Sequence, residues 1–445
     1  MSAAEQIDPS IDHYLAEFSR VERDLPGSDD SKRTRSTELK RFADAGFPTT
    51  RDEQWKYTSL QAVEKRRFEI SDEPAAIDKS ALDAFMPADF EAHRLVLVDG
   101  HFSQALSDLS GLPDGVTVRS FAAHLRENDG VDVRAREIDD EPGSIAAMNA
   151  AFFTDGAYVE TASGAVLDKP LHVICVSSGA HDDRMTQVRH RYVFGDNSQA
   201  TIVEHAIGLG DKAYFANVVT EALMGRNAQM TRVRLQQESE RGYHVSAFFG
   251  QQRRDSRIYN HAFDLGGRLA RIDTNSRLVD QNAEVHFNGV FVPTGRQHMD
   301  NHTTIDHDTE HSVSREHYKG VAAGHGRGVF NGRILIRKDA QKTDSDLSCD
   351  ALLLSDKAEV DAKPELEIYA DDVTAGHGST VGQLDEDAVF YLKSRGVSEE
   401  GARAILTYSF ANALVEQLGI ASIERYVEAA MLKKLPGGEA FADLA

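Results

Sequence analysis

Apolar residues in the middle of the chain alternate with polar residues over short runs. Between about residues 157 and 373 these runs include Leu171–Val176, Thr201–Val203, Val285–Phe287, Val290–Val292, Ile334–Ile336 and Leu352–Leu354. Turn-forming pairs interrupt them at Asp196-Asn197, Asn288-Gly289, Asn331-Gly332 and Asp371-Asp372. The pattern predicts a body of many short β-strands, but its spacing is irregular. The residues alone therefore leave a sandwich, a barrel and a solenoid open.

Helical periodicity occupies both ends of the chain. Ile11, Tyr14 and Phe18 begin an apolar stripe, a Gly-Ser-Asp-Asp break follows at 27–30, and a second helical run continues to Ala45. Residues 94–153 mix a strand at 95–98 with helical runs near 119–126 and 144–153. Three helices are predicted near 385–396, 398–419 and 423–431. We expect an N-terminal helical and mixed domain at 1–155, a β core at 156–380 and a C-terminal helical domain at 381–445.

The change from strands to helices falls within residues 362–396. Residues 365–370 alternate between polar and apolar side chains, as in a half-buried strand that Pro364 can open but not occupy internally. Two glycines then flank His377, and a helix with acidic residues at its start ends at Gly396. The pattern places a lone histidine at the junction between the last strand and the helices.

Composition narrows the class of protein. The chain has 445 residues, 41% of them hydrophobic, and a formal net charge of -23, which disfavours binding to nucleic acid. It has no apolar run of 18 residues for a membrane span, and its first residues do not resemble a secretory signal, so we expect a cytoplasmic protein. The two cysteines, Cys175 and Cys349, are too few for the four thiolates that usually hold an iron–sulfur cluster. A cluster would have to be transient and shared with a partner.

Two other chemistries are weaker hypotheses. Histidines are concentrated in one segment, but their spacing in a strand-rich region does not match a zinc site; they are His298, His302, His307, His311, His317 and His325. A carbohydrate-active enzyme could use Asp300, Asp306 and Asp308, although such enzymes are generally secreted. The chain has no Gly-x-x-x-x-Gly-Lys-Ser/Thr motif, so we do not expect it to hydrolyse ATP by itself.

The stretch AKPELEIYADDV at 362–373, the glycine-flanked His377 and VGQLDEDAVFYLKSRG at 381–396 resemble the C-terminal signature of the SufB/SufD family, specifically its SufD branch. Trp55-Lys56-Tyr57-Thr58 and residues 152–158 also resemble this family. The resemblance implies a mainly β fold, with a right-handed parallel β-helix flanked by N-terminal and C-terminal helical domains. Alternatives are a SufB-like paralogue and a structural interaction protein without chemistry of its own.

The resemblance also implies a function. The chain would be a non-catalytic scaffold subunit that assembles iron–sulfur clusters in the cytoplasm with a SufB-like subunit and the SufC ATPase; a homodimer of the isolated chain is left open. His377 would be the ligand or relay residue for a transient cluster at the interface with the SufB-like subunit, and Cys349 a weaker candidate. Ala375 stands where some relatives have a cysteine. The ATPase would dock on the C-terminal helices, where Ile405, Phe410 and Leu414 are to be sorted into packing and docking residues. We further expect these helices to cap the last coil of the solenoid.

Overall fold

The computed structural model describes residues 9–134 and 143–438. The described helices are α1 Pro9–Val21, α2 Asp29–Ala45, α3 Gln61–Arg66, α4 Phe121–Glu127, α5 Ser144–Phe152, α6 Glu386–Ser394, α7 Glu399–Val415 and α8 Ala421–Lys434. The short strands that precede the main body are β1 Glu69–Ile70, β2 His93–Val98, β3 His101–Phe102 and β4 Val116–Ser120. Every helix predicted from the sequence is present. None of the helices in these ranges is long and apolar enough to cross a membrane.

Sixteen further strands build the body. They are β5 Ala157–Thr161, β6 Leu171–Ser177, β7 Arg184–Phe194, β8 Gln199–Gly208, β9 Tyr214–Met224, β10 Gln229–Gln237, β11 Gly242–Gln252, β12 Arg257–Asp264, β13 Leu269–Leu278, β14 Glu284–Phe291, β15 His298–His307, β16 Val313–Ala322, β17 Arg327–Ile336, β18 Asp344–Leu353, β19 Glu359–Ile368 and β20 Thr374–Gly382. From β5 onward, odd-numbered strands lie in one sheet, sheet A, and even-numbered strands in a second, sheet B. Each strand pairs in parallel with the strand two positions along the chain. This is a parallel β-solenoid, and the expected fold is confirmed; the domain boundaries stay a prediction.

The coils of the solenoid differ in length. Side chains that meet between neighbouring coils are 27 residues apart for Arg257 and Glu284, 28 for Arg232 and Glu204, and 31 for Ser314 and Ser345. Because the period drifts by several residues, the sequence shows no fixed repeat, although the strands stay in register.

Two turns predicted from Asn-Gly pairs are wrong. Gly289 lies inside β14 and Gly332 inside β17. A Cβ at Gly289 would stand 2.1 Å from the ring of Tyr318, and one at Gly332 would stand 2.7 Å from Leu347 Cδ1. These glycines make room for large side chains inside the solenoid rather than for a change of chain direction.

The space enclosed by the two sheets, the lumen, holds the main core. It is filled by apolar side chains such as Ile202, Phe287 and Leu347, all fully buried. Outside, helices cover the two flanks. Residues of α1, α2 and α5 pack with the outer face of sheet A, and residues of α7 and α8 pack with the outer face of sheet B.

This arrangement contradicts the expected cap. Ala411, Leu414, Val415 and Ile423 bury their side chains against sheet B residues such as Val290, and β14 and β16 are the strands that α7 contacts most. An amphipathic pattern shows that a helix has an apolar face but not which surface that face meets. The C-terminal helices lie on the flank of the solenoid and leave its end uncovered.

Candidate functional site

The last coil of the solenoid has an open edge. β19 pairs only with β17 and β20 only with β18 among the described strands, so each has one unpaired side. No residue of β19 or β20 is buried, whereas β17 beneath β19 is largely buried and β18 beneath β20 has buried residues at alternate positions. Ile368 at 43%, Tyr369 at 63% and Val381 at 43% exposure add apolar surface. We call the outer side of β19 and β20 the terminal edge.

Pro364 lies inside β19, opposite Gly332 of β17, although the sequence interpretation allowed it only at a strand start. Proline has no N–H for a ladder hydrogen bond and occurs in edge strands for that reason. Its position fits an edge strand of the solenoid.

His377 lies within β20, not at a turn between strand and helix as the sequence analysis expected. In the register of the parallel pair it sits beside Leu347, and Ser379 sits beside Cys349. Leu347 and Cys349 are both fully buried in the lumen core. Since paired residues of parallel strands face the same side of a sheet, His377 lies over the lumen, at its mouth. Its side chain is exposed.

The surroundings of His377 offer space. A Cβ at Gly378 would meet no atom within 4 Å, and the residues that share the face of His377 on β20 are Ala375, Ser379 and Val381. Within the described ranges no cluster of three or more His, Cys, Asp or Glu side chains is arranged to hold a metal ion. A neutral imidazole is a competent ligand for iron. The described side chains around His377 therefore do not form a metal site of three or more such ligands by themselves.

Cys349 is a buried thiol. It lies in β18 with no exposed surface, and burial, with smaller contributions from Asp350 and Glu316, raises its pKa far above that of a free cysteine. A thiol is a poor nucleophile and metal ligand until it loses its proton. In this conformation Cys349 packs the coil beneath His377.

Glu316 is a second buried group near the mouth that the sequence analysis missed. It lies in the same inward column as Leu347 and His377, two coils below the end. Neither carboxylate oxygen has a hydrogen-bond partner in the described residues, and burial, opposed only in part by Thr303, raises its pKa to about 8. At neutral pH this side chain is mainly an uncharged acid.

The histidines of 298–325 do not converge. His307 is buried between Ser312 and Ser314, 2.6 and 2.9 Å away, and burial lowers its pKa to about 3. His317 contacts Ser348 Oγ at 2.8 Å. His311 and His325 are exposed, and His311 has a positive φ of 61°.

The remaining two histidines, His298 and His302, lie where the N-terminal segment packs against sheet A. Thr58 donates a hydrogen bond to Asp300, and its oxygen lies 2.6 Å from His298 Nε2. Asp300 also forms an ion pair with Arg271 at 2.8 Å. The guanidinium of Arg271 stacks on Trp55, 4.5 Å from the ring centre. The string Trp55-Lys56-Tyr57-Thr58 thus fixes the N-terminal segment to the solenoid.

The three docking candidates on α7 are not freely exposed. Leu414 is 4% exposed and belongs to the core between α7 and sheet B. Phe410 is half-buried against the same core and lies beneath the Lys319 ammonium, 4.6 Å from its ring centre. Ile405 is half-buried. Leu414 is therefore a packing residue.

Two aromatic residues that sequence reasoning missed are far more accessible. Phe390 and Tyr391 on α6 are 70% and 56% exposed. A signal was present, because both fall outside the apolar face of Ala388, Val389 and Leu392 that predicted this helix.

Comparison with known proteins adds family relationships. Residues 11–173 match the family model described as the SufBD protein N-terminal region, and residues 176–410 match the SufBD core domain of the SUF system for FeS cluster assembly. The chain is 30% identical over 417 residues to the iron-sulfur cluster assembly protein SufD of Escherichia coli, covering 90% of this chain and 92% of that protein. It is 31% identical over 389 residues to a SufBD family protein of Synechocystis, covering 85% of each. SufD of Bacillus subtilis is 28% identical over 298 residues, 65% of this chain and 67% of that protein.

Proposed function

The chain belongs to the SufBD family of iron–sulfur cluster assembly proteins, and from this premise we propose that it is the SufD-like subunit of a cytoplasmic SufBCD-type scaffold. It works with a SufB-like subunit and a SufC-like ATPase, and it has no catalytic reaction of its own. The similarity to SufD of Escherichia coli over nine-tenths of the chain favours this assignment over a SufB-like paralogue.

The terminal edge carries the proposal. Two adjacent edge strands with unpaired backbone groups and exposed apolar side chains form a template for pairing with another chain. Natural proteins usually protect such edges, and no described segment of this chain covers this one. The SufB-like subunit pairs with β19 and β20, and its strands continue the two sheets.

His377 is the ligand or relay residue at this interface. Its imidazole stands exposed over the lumen mouth, and the free space at Gly378 allows another chain to approach closely. Because no group of three or more His, Cys, Asp or Glu side chains in the described residues is arranged to hold a metal ion, the nascent cluster is shared with side chains of the partner. Cys349 can bind the cluster only if the last coil opens, because its thiol is buried beneath the terminal edge.

The ATPase docks on the C-terminal helices, with Phe390 and Tyr391 as the first contacts. These residues are the most accessible large apolar side chains of the helical tail in the described range. Exposed aromatic residues are frequent centres of protein interfaces. Ile405 and Phe410 are half-buried and can contribute only at the margin of that contact.

Co-expression with a SufB-like subunit and an ATPase tests the proposal. Val381→Lys places a charge on the terminal edge and should remove the SufB-like subunit from the purified complex. His377→Ala should leave the complex intact on size-exclusion chromatography but lose cluster formation, measured by visible absorption after anaerobic reconstitution. Phe390→Glu should release the ATPase alone.

His325→Ala is the matched control, because His325 is also exposed and flanked by two glycines, at a turn away from the edge. It should assemble and form clusters like the wild type. A complex that survives Val381→Lys would contradict pairing at this edge. Normal cluster formation with His377→Ala would leave the imidazole without a role in the chemistry.

A further inference from the structure

A second feature of interest is a cavity of 610 Å³ between α8, residues 84–88 and the outer face of sheet B. Its volume falls within the range of small-molecule sites, about 300–1,000 Å³. Apolar side chains form much of its wall, among them Phe85, Met86, Leu265, Tyr426 and Ala430. The cavity lies on the flank of the solenoid, and neither the terminal edge nor α6 contributes to its lining.

Positive charge is concentrated at one wall. α8 contributes Arg425, Lys433 and Lys434 to the lining, against a single carboxylate, Glu238. The whole chain carries a formal charge of -23. A lining with three basic side chains and one acidic side chain therefore has the opposite sign of charge from the chain as a whole. Such a wall attracts an anionic group.

Lys434 is the central group. Its ammonium donates to the Leu265 carbonyl at 2.6 Å and to Gln297 Oε1 at 2.7 Å, both uncharged acceptors. It forms no ion pair with a carboxylate of the described residues. Burial, opposed by the more distant Glu240, lowers its pKa to about 8. A largely buried ammonium without a counter-ion is costly, and an anionic ligand would supply that counter-ion.

Neighbouring polar groups are already satisfied by each other. Gln237 Oε1 accepts hydrogen bonds from Tyr426 at 2.5 Å and lies 2.7 Å from His205 Nε2. Glu238 accepts from Gln236 at 2.9 Å. Since Glu238 contributes a carboxylate to the lining, the cavity disfavours a ligand with a second anionic group near it.

We propose that this cavity binds a small amphipathic anion, with an apolar or aromatic body against Phe85, Met86 and Tyr426 and one carboxylate or phosphate group at Lys434. Lys433 and Arg425 at the rim draw the anion in, and Lys434 holds it. This site is separate from the cluster-assembly surface and does not rest on the proposed function.

Isothermal titration of the full chain at pH 7 with three matched probes tests the proposal. The probes are 2-naphthoate, 2-naphthyl phosphate and the uncharged 2-naphthol. At least one of the two anions should bind at least tenfold more tightly than 2-naphthol, and the tighter one identifies the preferred head group. Equal affinity for all three, or no binding of either anion, overturns the proposal.

Variants locate the binding. Lys434→Met should weaken anion binding at least tenfold, while Lys434→Arg should keep most of it. Ala430→Phe fills the cavity without changing its charge and should also abolish binding. Lys357→Met removes an exposed lysine elsewhere and should bind like the wild type. Thermal unfolding of each variant checks its fold, and unchanged affinity in a folded Lys434→Met or Ala430→Phe protein would place the probe elsewhere.

Discussion

The two ends of the solenoid are built differently. At the first end, Leu95 and Leu97 of β2 have no exposed surface, and residues 79–85 and α4 add further buried side chains such as Leu82 and Phe121. At the last end, no residue of β19 or β20 is buried. The difference does not reflect a shortage of chain, because three helices follow β20 and pack on the flank instead. The chain closes one end with its own residues and leaves the other end open.

The lumen shows the same contrast. In the half nearer the closed end, Glu204 accepts hydrogen bonds from Arg232 at 2.9 and 2.6 Å and from Tyr192 at 3.1 Å. Burial is the largest single influence and raises its pKa, but the ion pair and hydrogen bonds with Arg232, together with His190 and Tyr192, outweigh burial, and the pKa falls to about 2. Glu316, nearer the open end, has no charged partner and a pKa of about 8. At neutral pH the buried Glu204 is therefore an anion, whereas the buried Glu316 is mainly an uncharged acid.

The largest predicted effect separates these two carboxyls. Glu204→Gln leaves the buried Arg232 without its counter-ion and should lower the free energy of unfolding at pH 7 by about 3–5 kcal/mol. Glu316→Gln replaces a neutral acid with a neutral amide and should lower it far less. Urea denaturation of both variants measures the difference. Equal losses would mean that Glu316 has a partner comparable to Arg232.

The second prediction compares aliphatic residues at the two ends. Leu97→Ala removes a fully buried side chain at the closed end and should lower the free energy of unfolding by about 2–5 kcal/mol. Ile368→Ala at the terminal edge should change it by no more than about 0.5 kcal/mol. The measurement is urea denaturation of the isolated chain. A loss above about 2 kcal/mol for Ile368→Ala would show that the last coil is covered in solution.

The third prediction is a pH dependence. The pKa of Glu316 is raised in the folded state, so between pH 4.5 and 8 the folded chain holds a proton that the unfolded chain has released. Its contribution to stability is complete below pH 4.5 and is lost as the pH rises through 8, with a slope of at most about 1.4 kcal/mol per pH unit. Glu316→Gln should remove this slope.

Unfolding free energies at pH 5, 6, 7 and 8, compared between wild type and Glu316→Gln, isolate this group from the other titrations of the chain. The difference between the two proteins should favour the variant more as the pH rises. A constant difference over this range would show that Glu316 ionises normally and that water reaches it.

Local pattern was enough to predict the strand-rich body, the helices α1 and α2 and the three C-terminal helices, but not the short α3. Asp385 and Ser398, for example, stand at helix N-caps, and their side chains accept hydrogen bonds from the backbone N–H groups of Asp387 and Gly401. Resemblance to a family, rather than periodicity, distinguished a solenoid from a sandwich, because unequal coils hide the repeat.

The site was predictable only in part. Flanking glycines drew attention to His377, but its orientation depends on its partner Leu347 in another coil, which no local pattern reveals. Gly289 was assigned to a turn because its clash partner, Tyr318, is distant in sequence. Glu316 looked like an ordinary polar residue of an alternating strand, since burial on the lumen side depends on register.

The terminal edge belongs to the last coil of the solenoid to be synthesised. Each coil of a stacked array rests on the one before it, so β19 and β20 find their place only after the preceding coils have formed. A chain that stops before β19 ends in the edges of other strands and lacks Ile368, His377 and Val381. If the partner pairs with the terminal edge, it binds only chains whose whole solenoid has been translated and folded. Assembly would then select complete, correctly folded chains.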